Sequence, residues 1–198
     1  MSYKKHLSKD KVLATILKKD NHTLSLQKNI PLRLMGSIIS QQLSTKVAAI
    51  IFDRFLALYP AKKPTILKVL DTPVETLRGI GISYAKINYI YAVANFCVEH
   101  KITDKKLQGL SNQEIIELLT QIKGVGKWTV EMLLMFSLGR EDVFAVDDLG
   151  IQQAMVKLYH LDPTSKKQLK TDMLERANAW SPYRTYACLH LWRWKDDR

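Results

Sequence analysis

Between Pro31 and Tyr59 the chain reads PLRLMGSIISQQLSTKVAAIIFDRFLALY, an apolar run that no single surface helix could present to water. The polar cluster at 40–44 divides it, which predicts two buried helices with a break between Ser40 and Ser44. Two apolar helices in succession require further helices or sheet to cover them, and the rest of the chain supplies helices. Leu7 to Asp20 repeats apolar residues at Val12, Leu13, Ile16 and Leu17, one helical stripe. Thr72, Pro73 and Glu75 read as an N-cap, a first helical position and a capping-box acid, and Ser111 with Glu114 repeats the signal. Thr164 after Pro163 and Ser181 before Pro182 announce two more helices. Alternating strand patterns bounded by hairpin turns are absent. The expected fold is therefore all-α, two helical lobes with a central cleft and a helix-hairpin-helix motif. The lobes are placed at 31–145, including the hairpin at 119–132, and at 1–30 plus 146–198.

Lys and Arg number 30 against 19 Asp and Glu, a formal charge of +11 that favours a polyanionic partner, nucleic acid or an anionic surface. Cys97 and Cys188 are too few for a disulfide framework, a zinc site or an iron–sulfur cluster, and read as small apolar residues in a reducing compartment. The basic N-terminus lacks the apolar core of a signal peptide, and no run approaches the roughly 18 apolar residues of a membrane span. These features predict an intracellular protein, cytoplasmic or associated with nucleoid or nucleus, without a membrane partner.

The segment LTQIKGVGKWTVEM at 119–132 carries the most chemistry. A helix from Ser111 to about Gln121 is predicted to stop at Ile122–Gly126, and another to begin near Lys127. Gly124 and Gly126 permit positive φ and let a phosphate approach the backbone around Val125. The unpaired N–H groups of the following helix, with Lys123 and Lys127 beside them, complete an anion site that grips phosphate without reading sequence. A plain tight turn would use the same glycines. LRGIGISYAKI at 77–87 echoes the pattern, a second Gly-x-Gly between helical stretches. Downstream, Asp147-Asp148 follows the apolar approach Val143–Val146 and opens a helix whose stripe is Ile151, Ala154, Met155 and Leu158. On the residues alone, an aspartate pair here reads as a helix cap. Gln41-Gln42 sits in the apolar run as a polar loop, and Trp128 could equally be a core aromatic. Of the five histidines, His190 reads as structural, and none of the others has metal-ligand spacing.

Taken together, IKGVGKWT, VFAVDDLGI, SIISQQLSTKVA, LRGIGISYAKI and YRTYACLHLW resemble, in order, the helix-hairpin-helix DNA glycosylases, specifically the 3-methyladenine DNA glycosylase II branch in a compact form without an N-terminal β domain. The likeness covers about residues 30–194. It implies hydrolysis of the N-glycosidic bond of alkylated purines in duplex DNA by base flipping, by a monomer needing no cofactor. It assigns Asp148 the catalytic role, with Ile151 at the family's spacing and Asp147 left as the cap. Trp128 stands where lyase branches carry a Schiff-base lysine, and Lys127, one position earlier, is turned about 100° around the helix. A monofunctional enzyme follows. Trp128 and Trp192 become base platforms, and Met132 stands where some relatives carry a pocket tyrosine. Trp180 and Trp194 lack such a match and read as packing. Gln42 becomes the wedge that replaces the flipped base. Lys123, Gly124, Val125, Gly126, Lys127 and Thr129 become the DNA grip, and carbonyls of Thr120, Ile122 and Val125 the donors to a monovalent cation. Two alternatives remain open at this point: a catalytically silent module binding damaged DNA, and a lyase using another amine.

Overall fold

The computed structural model describes residues 2–17 and 22–197, and every regular element among them is helical. The helices group into two compact units, a terminal one (Met1–Leu26 with Leu134–Arg198) and a central one (Gln27–Leu133). The second junction falls at 133/134, inside a helix, rather than after 145.

The terminal unit begins with α1 (Tyr3–Leu7), which ends where the predicted helical stretch begins, and α2 (Lys11–Ala14), a short helix inside that stretch. Asp10 is the reason: its Oδ1 accepts from the N–H groups of Val12 and Leu13 and starts a new helix at Lys11. Leu13 and Ile16 are buried as expected, Val12 is exposed, and part of the predicted stripe, beyond Leu17, lies outside the described residues.

The central unit follows. α3 (Ile30–Ser40) and α4 (Thr45–Ala57) divide the apolar run where the polar cluster predicts, with Ser44 capping α4 through the N–H of Val47. A 3-10 turn at Pro60–Lys62 leads to α5 (Ile66–Leu70) and α6 (Val74–Gly79). Here the sequence expectation needs correction. Thr72 does not cap α6; its hydroxyl donates to Lys68 O at 2.7 Å and shares a hydrogen bond with the Tyr59 hydroxyl at 3.0 Å, and Pro73 occupies the cap position. The long helix α7 (Tyr84–Glu99) buries Ile87, Ile90, Val93, Ala94 and Cys97, and α3, α5 and α6 pack against it. Burial pushes the Cys97 thiol up to about 11, as befits a residue that behaves as a small hydrophobe. α8 (Asp104–Gln108) and α9 (Asn112–Leu119) close this unit, the latter with the predicted capping box of Ser111 and Glu114. α10 (Lys127–Phe136) carries the chain out of it.

Back in the terminal unit, α11 (Leu149–Tyr159) packs on α13 (Arg184–Asp196) and on α2, with α12 (Lys166–Asn178) between them in sequence. Ser165 rather than Thr164 caps α12, and Tyr183 rather than Ser181 precedes α13, whose side chain makes no cap bond. Thr164 is held by Asp162, and the Ser181 hydroxyl donates to Asp142. Trp180 is fully buried, and its indole N–H, like the Tyr159 hydroxyl, donates to Asp10 Oδ2.

Asp10 thus ties α2 to two aromatic anchors. Burial alone would raise its pKa, but the hydrogen bonds from Leu13, Tyr159, Trp180 and Val12 outweigh it, and the carboxyl titrates below its ordinary 3.8. A depressed folded-state pKa contributes stability above the unfolded value, and that contribution disappears as pH falls from 3.8 through the lower folded value. Asp10→Asn is therefore expected to lower Tm at neutral pH and to flatten its decline in acid, read by thermal melts across that window. Parallel melting curves at all pH values would exclude Asp10 from the acid response.

Candidate active site

The hairpin forms in the central unit between α9 and α10. Gly124 has φ +91°, so the left-handed backbone expected of the glycine turn is present at this position. A Cβ here would lie only 2.3 Å from Cγ of the Tyr89 ring, so close packing demands the glycine as well. At Gly126 the φ is not left-handed and nothing lies within 4 Å of an added Cβ, leaving the backbone open where α10 begins. The echoing segment differs in register: its second glycine, Gly81 at φ +100°, takes the left-handed turn.

Lys123, Lys127 and Trp128 are exposed around this opening, whereas Val125 and Thr129 are buried supports. Lys127 lies 3.5 Å from Glu131, one helical turn on, whose side chain is only 3% exposed. Sequence reading passed over this buried acid, although Lys and Glu four residues apart on a helix are a recognisable pair. Trp128 is 44% exposed, an unusual setting for an indole at the start of a helix, and a core role for it is excluded. Met132 is half-buried on the same helix.

The second group of residues belongs to the terminal unit. Residues 143–146 form a buried approach pinned to the start of α13. Arg184 grips Asp142 with two parallel bonds, Nε to Oδ1 at 2.6 Å and Nη2 to Oδ2 at 2.9 Å. The Thr185 hydroxyl accepts from Val143 N at 3.0 Å and donates to Arg140 O at 2.6 Å. Tyr186 donates to Glu141 at 2.7 Å. Anchoring the approach there puts the beginning of α11 beside the later turns of α13.

Asp148 and Trp192 meet at that place. The indole Nε1 donates to Asp148 Oδ1 at 2.8 Å, and the same oxygen accepts from Ile151 N at 2.9 Å. Asp148, half-buried, is therefore itself the N-cap of α11. This corrects the division of labour expected from the sequence: Asp147 does not cap but forms an exposed ion pair with Lys170. Phe136 stands 6.0 Å from the Trp192 ring, centroid to centroid, and is 49% exposed. Gly150 also belongs here: an added Cβ would lie 3.1 Å from both Asp148 Oδ1 and Trp192 Cδ1. Sequence reading missed it, although glycine inside the first turn of a helix costs about 1 kcal/mol relative to alanine and so signals a packing need.

Other aromatic and histidine residues of this unit serve packing. His190 is buried edge-on to His22 at 4.6 Å and near Tyr3 at 6.0 Å, while Trp194 lies under Lys157. Among the described residues no cluster of His, Cys, Asp and Glu could hold a metal ion, and no helix is long and apolar enough to cross a membrane.

Residues 35–179 match the model of the HhH-GPD superfamily base excision DNA repair proteins. DNA-3-methyladenine glycosylase 1 of Schizosaccharomyces pombe is 39% identical over 172 residues, covering 85% of this chain and 74% of the relative. The solved structure of the Schizosaccharomyces pombe 3-methyladenine DNA glycosylase in complex with abasic DNA aligns with a TM-score of 0.83 at 35% identity, over 98% of this chain and 96% of that one. A DNA-3-methyladenine glycosidase from Bacillus halodurans aligns with a TM-score of 0.84, also at 35% identity, over 97% and 88% of the two chains. With its all-α architecture, glycine hairpin and helix-capping aspartate, the chain belongs to the HhH-GPD superfamily of base excision DNA repair proteins.

Proposed function

We propose that this protein is a monofunctional DNA glycosylase that hydrolyses the N-glycosidic bond of alkylated purines in duplex DNA, with Asp148 as its catalytic carboxylate. The observation that carries the reading is the placement of Asp148, held on one oxygen by the α11 N–H and the Trp192 indole. As the bond to an N-alkylated purine breaks, the base leaves with the bonding pair and its positive charge is neutralised. The sugar becomes oxocarbenium-like, and a fixed carboxylate stabilises that charge. Water then adds to the anomeric carbon and its proton passes to Asp148 or to solvent. No second acid is required, because the leaving group is already cationic.

The central unit supplies the grip on DNA. The open backbone at Gly126, the start of α10, Lys123 and Lys127 bind phosphate; the exposed face of Trp128 receives an electron-poor base. Gln42, exposed at φ +57°, fills the gap left in the duplex. The reaction needs no cofactor. The resemblance also implies a monovalent cation at the hairpin, and the donors suit one: Thr120 ends α9, where helix carbonyls lack partners, and Ile122 O accepts from Val125 N at 3.0 Å while keeping a second lone pair. Together with Val125 O these neutral carbonyls would hold such an ion, which would brace the loop and add positive charge beside phosphate. Action on DNA fits a protein inside the cell, in cytoplasm, nucleoid or nucleus, and monomeric action suffices.

Incubation with methylated duplex DNA tests the proposal. Free 3-methyladenine or 7-methylguanine should appear, with abasic sites but no enzyme-dependent strand nicks and no borohydride-trapped adduct. Tight DNA binding without base release would make the protein a silent damage-binding module, and a trapped adduct would make it a lyase.

A further inference from the structure

The loop between α3 and α4 is a type II turn. Leu43 N donates to Ser40 O at 3.2 Å, Gln41 has φ −51° and ψ 132°, and Gln42 follows at φ +57°. The third position of such a turn favours glycine or asparagine, so a glutamine there is held in an unfavourable backbone region by its surroundings. Two side chains of the central unit provide the hold. Lys86, in the first turn of α7, extends Nζ to Ile39 O at 2.9 Å and Gln41 O at 2.6 Å. Gln41 turns its amide Nε2 to Gly124 O at 3.3 Å, which joins the turn to the glycine hairpin.

Lys86 is badly placed for its own helix. A cation in the first turn opposes the helix dipole, and this one is half-buried, so that burial lowers its pKa. It is well placed for α3, whose last carbonyls it satisfies with a positive charge. Three residues on, Tyr89 packs its ring on Gly124. One face of α7 thereby contacts both the turn that carries Gln42 and the hairpin.

We propose that Lys86 and Gln41 are positioning residues that fix the exposed Gln42 against the hairpin, so that phosphate grip and wedge keep a set spacing along the duplex. The inference rests on the reading of Gln42 as the wedge. Its consequence is selective. A wedge matters when a base must be drawn out of a stacked pair and matters little when the base is already unpaired, since extrusion then costs least.

The experiment compares single-turnover release of 7-methylguanine opposite cytosine with release of the same lesion opposite an abasic site in an otherwise identical duplex. Lys86→Met and Gln41→Ala should slow release from the paired substrate by about 10-fold, the scale of losing hydrogen bonds from a charged group or to a constrained loop, and should affect the unpaired substrate far less. Lys86→Arg should recover most of the paired rate. Gln42→Ala should reproduce the pair-dependent loss. Equal losses on both substrates would mean damage to the fold or to binding in general and would overturn the positioning role. So would unchanged rates for both Lys86→Met and Gln41→Ala while Gln42→Ala is impaired, in which case the wedge stands without the clamp. A Gln42→Ala enzyme with no pair-dependent loss would remove the wedge and the clamp together.

Discussion

Asp148→Asn should reduce single-turnover release of alkylated purine by about 10³-fold, the scale of removing a preorganised electrostatic stabiliser from a transition state. The substitution is chemically clean because of the site's geometry. Asparagine is as good an N-cap as aspartate, and its amide oxygen can still accept from Ile151 N and Trp192 Nε1. On the proposed assignment, what disappears is the charge opposite the developing sugar cation. Tm and affinity for abasic duplex should change little, whereas Asp148→Ala would also lose the cap, about 1 kcal/mol of stability. Asp147→Asn, which removes only an exposed ion pair with Lys170, should leave the rate near that of the parent enzyme. Retained turnover in Asp148→Asn would place the chemistry on another group.

The two hairpin glycines should respond in opposite ways to alanine. Gly124→Ala puts a Cβ on a left-handed backbone and into the Tyr89 ring, a combined cost of about 3 kcal/mol. In a chain of this size that lowers Tm by about 6–12 °C, measured by thermal melts. Gly126→Ala meets no atom within 4 Å and no unfavourable φ, so the fold should tolerate it. On the proposed phosphate grip, its methyl group would instead occupy the space through which a phosphate reaches the backbone. Duplex affinity should fall by about 10-fold, the scale of one charged hydrogen bond, with stability unchanged. Gly126→Ala with parental affinity would move the phosphate site away from this loop. Gly124→Ala with parental Tm would show that α7 and the hairpin shift apart without cost.

Much of the helical plan is legible in the chain because helix ends are written locally. Ser111 and Glu114 lie three residues apart and form the predicted capping box, and the polar cluster at 40–44 separates α3 from α4. Local signals are overridden where a competing partner comes from elsewhere in the chain. Thr72 has the sequence of a cap, but Tyr59 and Lys68 O take its hydroxyl. The stretch 7–20 reads as one helical stripe, but Asp10, anchored by Tyr159 and Trp180, starts its helix only at Lys11.

By itself the sequence determined an all-α chain, a glycine hairpin, and an aspartate at the start of α11. Each depends on residues within a turn or two of one another, where backbone geometry and capping chemistry act directly. Only tertiary structure decided which aspartate caps, that Trp192 donates its N–H to Asp148 from 44 residues away, and that Gly150 makes room for it. Packing likewise brought Lys86 to the carbonyls of Ile39 and Gln41. Such pairs follow no periodicity in the chain. They exist because anchors such as Arg184 with Asp142 fix where one segment runs past another, and a hydrogen bond is made or missed within a few tenths of an ångström.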